Sequence, residues 1–136
     1  EEAYFSDLCR MQEIIFEQTG EYAKLVRFPG GSSNTVSHYN PGIMTRLTND
    51  LNDMGYVYFD WNVSAADTAS NATRYTVVAN IKEGVPQHDY SVVLQHDTNA
   101  FSVDAVEEIL SWGIENGYSF RALDLTSPAV HHSVAN

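Results

Sequence analysis

An imidazole (His96), a guanidinium (Arg27) and two carboxylates (Asp60 and Asp97) stand at or just past the ends of short apolar runs in this sequence, which is where a folded chain tends to expose groups that do chemistry. His96 follows Ser91-Val92-Val93-Leu94 with only Gln95 between. Histidine is the side chain whose ordinary pKa lies nearest neutrality, so it can give or take a proton under mild conditions. Asp60, Asp67 and Asp97 are all candidates to accept its Nδ1–H, a bond that fixes the tautomer and favours the charged ring. Arg27-Phe28-Pro29-Gly30-Gly31 follows another apolar stretch, and its proline and glycines suit a tight loop whose backbone can approach a ligand. An ordinary β-turn explains everything in that segment except the arginine. General acid–base work on a polar substrate is the chemistry these groups share.

Other candidates are weaker. His131 and His132 are adjacent, so their rings point in different directions, and no carboxylate follows at helical spacing to complete a metal site. Gly30-Gly31-Ser32-Ser33 lacks the lysine of a phosphate-binding loop. Cys9 is the only cysteine, which excludes an internal disulfide and a cysteine-rich zinc site. With 7 Lys+Arg against 18 Asp+Glu the net charge is −11, spread along the chain, and that field disfavours nucleic acid or an anionic membrane as a partner. No apolar run approaches the ~18–20 residues that span a bilayer, and no signal-peptide layout is present. The first residues, Glu1 to Arg10, read as a helix from the middle of a domain, so a segment upstream is expected.

The elements that must position these groups alternate. The 136 residues, 43% apolar and 12% aromatic, suit one globular core. Tyr4, Phe5, Leu8, Met11 and Ile15 predict a helix ending at Thr19-Gly20, and Lys24 to Phe28 a strand. Pro41 sits well in the first turn of a helix carrying Ile43, Met44, Leu47, Leu51 and Met54. Tyr56 to Phe59 predicts a second strand, and Tyr75, Val78, Ile81 and Val85 a third helical face. Ser91 to Leu94 reads as a strand buried on both faces. A fourth helix follows, capped by Ser102, with Val103, Val106, Ile109, Leu110 and Ile114 facing inward. Tyr118 to Leu123 is predicted as a fourth strand, before a polar tail. The fold class is therefore α/β, a parallel sheet or (β/α) barrel, with functional groups at the C-terminal ends of strands.

Taken in order, Arg27-Phe28-Pro29-Gly30-Gly31, Trp61-Asn62-Val63-Ser64-Ala65-Ala66-Asp67 and Val93-Leu94-Gln95-His96-Asp97 resemble the third, fourth and fifth motifs of carbohydrate esterase family 4, the polysaccharide deacetylases with a NodB homology domain. The resemblance implies the C-terminal half of a distorted (β/α) barrel over residues 1–126, with 127–136 as a polar tail. It also implies hydrolysis of the acetamide of N-acetylglucosamine in peptidoglycan or chitin. His96 would be the general acid, Asp67 its orienting carboxylate, and Arg27 the partner of a base aspartate. Leu94 would line the acetyl-methyl pocket and Gly30 would offer a backbone N–H to the oxyanion, while Trp61 is a candidate sugar-stacking surface. Such enzymes use a divalent metal, usually zinc, held by Thr-Phe-Asp-Asp-Gly-type and His-x-x-x-His-type motifs, and neither occurs here. Metal ligands are thus expected outside this chain, which alone would be inactive. Two departures from the family pattern, Thr68 for a usual tryptophan and Gly30 for a common aromatic residue, point to an altered substrate wall. The substrate implies a whole protein acting outside the cell or at its surface. The alternative is a non-catalytic carbohydrate-binding or interaction module.

Overall fold

The computed structural model describes residues 1–136, which form two compact units. The first comprises Glu1–Asp60 with Leu123–Asn136, the second Trp61–Ala122.

In the first unit α1 spans Glu2–Thr19 and stops at Gly20, which takes φ 76 while its N–H closes on Phe16 O. Tyr4, Phe5 and Leu8 pack inward as expected, but the next inward position is Gln12, and Met11 is 52% exposed. Gln12 holds its place by donating from Nε2 to Ala23 O at 2.7 Å. The short strands β1 (Leu25–Val26) and β2 (Val57–Tyr58) pair in parallel, Leu25 opposite Val57 and Val26 opposite Tyr58. Between them lies α2 (Ile43–Asp53), whose N-cap is Gly42 at φ 78, so Pro41 precedes the helix instead of occupying its first turn. Ile43, Met44, Leu47 and Leu51 bury its apolar face against Phe28, Tyr56 and Tyr58. Each such fully buried aliphatic side chain contributes about 1.5–3 kcal/mol. Residues 130–136 are hydrogen-bonded into this unit: Asp60 N–H donates to Val130 O, Ala135 N–H to Ser32 O and Thr45 N–H to Asn136 O.

In the second unit β3 (Val63–Ser64) and β4 (Val93–Leu94) pair in parallel, flanked by α3 (Arg74–Gly84), a short α4 (Ala100–Val103) and α5 (Val106–Glu115). Thr73 and Thr76 form a reciprocal capping box that starts α3. Its inward face is Val77, Val78 and Ile81, with Tyr75 left 85% exposed. Five helices and four short parallel strands match the α/β expectation, with corrections. β3 has no counterpart among the predicted strands, and residues 118–123 form no strand because no neighbour pairs with them. Tyr118 stacks on Trp112 and the Phe120 ring sits over Gly113, so this stretch packs on α5. Around β4, Val92 is buried and Val93 exposed, so that strand is not covered on both faces.

The expected fourth helix breaks between α4 and α5, and its inward stripe is Ser102, Ala105, Ile109 and Gly113. Val103, Val106, Leu110 and Ile114, expected inside, are exposed. Small residues at three of those four inward positions let the backbone approach closely, and no room remains for the larger neighbours.

Candidate active site

Strand register brings the first pair of groups together. Ser64 lies opposite Leu94, and Ala65 N–H donates to Leu94 O at 2.9 Å. Asp67 follows Ser64 by three residues and His96 follows Leu94 by two, so both emerge from the C-terminal ends of neighbouring parallel strands. The turn between β3 and Asp67 puts Ala66 at φ 51, a left-handed conformation that costs a non-glycine residue about 1 kcal/mol.

Asp67 is 2% exposed, and its carboxylate is fully engaged. Oδ1 accepts from His96 Nδ1 at 2.8 Å, while Oδ2 accepts from His96 N–H at 2.7 Å and from Ser102 Oγ–H at 2.6 Å. Asn99 Nδ2 donates to the Asp67 carbonyl at 3.1 Å. Burial pushes the Asp67 carboxyl up, but the hydrogen bonds from Ser102 and His96, with the His96 charge, outweigh it and hold the group below its usual range. An ionised carboxylate can only accept, so Nδ1 carries the hydrogen and Nε2 is the nitrogen left to face a substrate. The His96 side chain remains 29% exposed. Such a dyad can deliver or receive a proton at Nε2.

Asp60 and Asp97 have other situations. Asp60 is buried and accepts from Ser32 N–H at 2.8 Å, Ser32 Oγ–H at 2.6 Å and His132 N–H at 2.9 Å. Burial raises its carboxyl, and these bonds more than reverse that, leaving it too below the usual range. Asp97 is exposed. Leu94 and Trp61 are half-buried in the second unit, where Asn62 fastens the start of β4 by accepting from Val92 N–H at 2.7 Å and donating to Tyr90 O at 2.8 Å.

In the first unit, Gly31 N–H closes a β-turn onto Phe28 O at 2.8 Å, with Gly30 at φ 73. A Cβ at Gly30 would stand 3.1 Å from the Asn34 Cβ, so both backbone and space call for glycine there. The exposed Arg27 donates from Nη1 to Phe28 O at 3.4 Å.

No three His, Cys, Asp or Glu side chains gather in a way that could hold a metal ion. His131 stacks on Tyr58 with centroids 3.9 Å apart and bonds Tyr58 O through Nε2, and His132 Nδ1 meets Ser33 Oγ at 3.0 Å. The divalent metal implied by the sequence resemblance therefore finds no fitting ligand set in this chain. Residues missed in the sequence are Ser102, expected as a helix cap, and Ser32 and Asn62, short polar side chains whose partners lie some 30 positions away.

No family model matches the chain. It is 32% identical over 133 residues to YheN of Bacillus subtilis, named a polysaccharide deacetylase, a match covering 93% of this chain and 44% of that protein. The catalytic domain of peptidoglycan N-acetylglucosamine deacetylase from Eubacterium rectale superposes with a TM-score of 0.96 at 52% identity, over 99% of this chain and 62% of that one. A polysaccharide deacetylase of Bacillus cereus gives 0.68 at 29% identity, over 89% of this chain and 57% of that one. The chain thus spans less than half the length of YheN. Its fold is the α/β fold of these deacetylases, a distorted (β/α) barrel, over the part it covers.

Proposed function

Because this chain belongs to the polysaccharide deacetylases of carbohydrate esterase family 4, we propose that the protein carrying it removes acetyl groups from N-acetylglucosamine residues of a peptidoglycan- or chitin-like polysaccharide. The observation that carries this reading is the His96–Asp67 pair, an imidazole 29% exposed whose Nδ1 is committed to a buried carboxylate. In the hydrolysis, water adds to the acetamide carbon, the C–N bond breaks, and the departing nitrogen takes its proton from His96 Nε2. Acetate and a free amine leave, and the proton lost by water restores the imidazolium. Asp67 holds the ring and compensates its charge.

Leu94, at the end of β4 beside this pair in sequence, would bound the acetyl methyl, and Trp61 would offer an apolar face to a sugar ring. Gly30 N–H is assigned to the oxyanion and Arg27 to a base carboxylate beyond this chain; the tight Phe28–Gly31 turn is compatible with both. The metal on which the family generally depends would have ligands elsewhere in the protein, so the 136-residue chain alone is expected to release no acetate from N-acetyl-chitooligosaccharide above a metal-free control. Such a substrate puts the whole protein's work at the cell surface or outside it.

The test is His96→Ala in the full-length protein. It should lower kcat by ~10²-fold or more with little change in KM, since proton donation assists mainly in the transition state. Activity equal to the parent's would remove His96 from the mechanism and favour a carbohydrate-binding module.

A further inference from the structure

Ser102 touches the acid–carboxylate pair, and the mechanism above leaves it without a role. It lies in α4 with no exposed surface, donates from Oγ to Asp67 Oδ2 at 2.6 Å, and accepts at its backbone carbonyl from Gln95 Nε2 at 2.6 Å. The Asp67 carboxylate therefore divides its charge, Oδ1 serving the His96 ring while Oδ2 serves Ser102 and the His96 backbone. In a buried site every proton drawn to one carboxylate oxygen reduces what the other can offer its partner. Gln95, next to His96, reaches Ser102, and Asn99, three residues before Ser102, reaches the Asp67 carbonyl. The carboxylate itself is held by three hydrogen bonds, from His96 Nδ1, His96 N–H and Ser102 Oγ–H, with Oδ1 turned to Nδ1.

Resting on the assignment of His96 as the acid, we infer that Ser102 is a positioning residue that sets the acid strength of His96 through Asp67. Its hydroxyl draws charge away from Oδ1, and the imidazolium gives up its Nε2 proton more readily than it would beside an undivided carboxylate. Removing the hydroxyl concentrates charge on Oδ1, which stabilises the imidazolium and weakens it as a donor. The expected signature is a slower reaction whose alkaline limb lies at higher pH. Removing the Asp67 charge moves that limb to lower pH. A residue that only props the carboxylate would act in the same direction as loss of Asp67, so the sign separates the two roles.

The experiment compares Ser102→Ala, Asp67→Asn and His96→Ala in the full-length deacetylase, measuring acetate release from N-acetyl-chitooligosaccharide against pH and normalising to folded protein by circular dichroism. Ser102→Ala should lower kcat about tenfold, leave KM within about twofold, and move the alkaline limb upward. Where Ser102→Ala does not fold, Ser102→Cys, with similar volume and only a weak S–H donor, carries the same expectation. An unchanged kcat profile, or a limb that moves down as for Asp67→Asn, overturns the inference. Loss of activity in His96→Ala with a silent Ser102→Ala sinks this inference alone. Full activity in His96→Ala sinks both it and the assignment beneath it.

Discussion

Replacing Asp67 by asparagine keeps the side-chain shape and removes its charge, and the hydrogen-bond pattern dictates how the amide must sit. Its oxygen takes the place of Oδ2, where His96 N–H and Ser102 Oγ–H both donate, so its NH₂ faces His96 Nδ1. That nitrogen can then accept only when unprotonated, and the imidazolium loses its partner. A hydrogen bond to a charged group contributes about 1.5–3 kcal/mol, and a pKa unit corresponds to about 1.4 kcal/mol. Two unit charges about 4 Å apart at an effective dielectric constant near 20 would give ~4 kcal/mol, a ceiling that sharing with Ser102 and the backbone reduces. The alkaline limb of kcat should therefore move down by about 1 to 2 pH units. Initial rates of acetate release by the full-length protein, across neutral and alkaline pH, measure it. Asp60→Asn is the matched control, because the Asp60 carboxylate is bonded to Ser32 and His132. A limb that stays put with Asp67→Asn and moves with Asp60→Asn would refute the assignment of Asp67 as the orienting carboxylate.

Two further expectations concern stability. Asp60 and Asp67 both hold protons less readily folded than unfolded, where a carboxyl titrates near about 3.9, so each adds stability above that pH that is lost as pH falls through the lower folded value. Urea midpoints should change little between about pH 7 and 5 and drop below about pH 4, with a shallower drop in Asp67→Asn; a midpoint indifferent to acid would contradict this. Ala66→Gly, relieving φ 51, should leave the urea midpoint equal or raise stability by up to about 1 kcal/mol, although the same change at an ordinary position costs about 0.5–1 kcal/mol. A clear loss would mean the Ala66 methyl makes a contact that outweighs its strain.

Much of the architecture is local enough to be legible. Helical spacing at Ile43, Met44, Leu47 and Leu51 corresponds to a helix that buries those four side chains, and Thr19-Gly20 corresponds to a left-handed stop. The alternation of helices with short strands, and the order of the three motifs, suffice for family and fold class because both depend on residue type and chain order alone. Where local pattern misled, a neighbour decided. Tyr118 to Leu123 has strand composition, but a strand exists only with a partner, and its aromatic rings pack on α5 instead. Val63-Ser64 looks like loop and becomes a strand because Val93-Leu94 lies beside it.

The candidate site divides along the same line. His96 could be singled out from the sequence because it follows an apolar run, yet three carboxylates competed to hold it: chain order favours Asp60, at the end of a strand, while the family resemblance points to Asp67. Parallel pairing of β3 with β4, in the register that sets Ser64 against Leu94, brings Asp67 to His96 and leaves Asp60 to Ser32 and His132. Ser102 was legible only as a helix cap, since its bond to Asp67 spans 35 positions and depends on where α4 begins. Residue type and spacing determine which groups can ionise, donate or turn the chain. Which donor meets which acceptor is decided by strand register and packing, because a hydrogen bond needs its partners about 3 Å apart and no one-dimensional pattern specifies that distance.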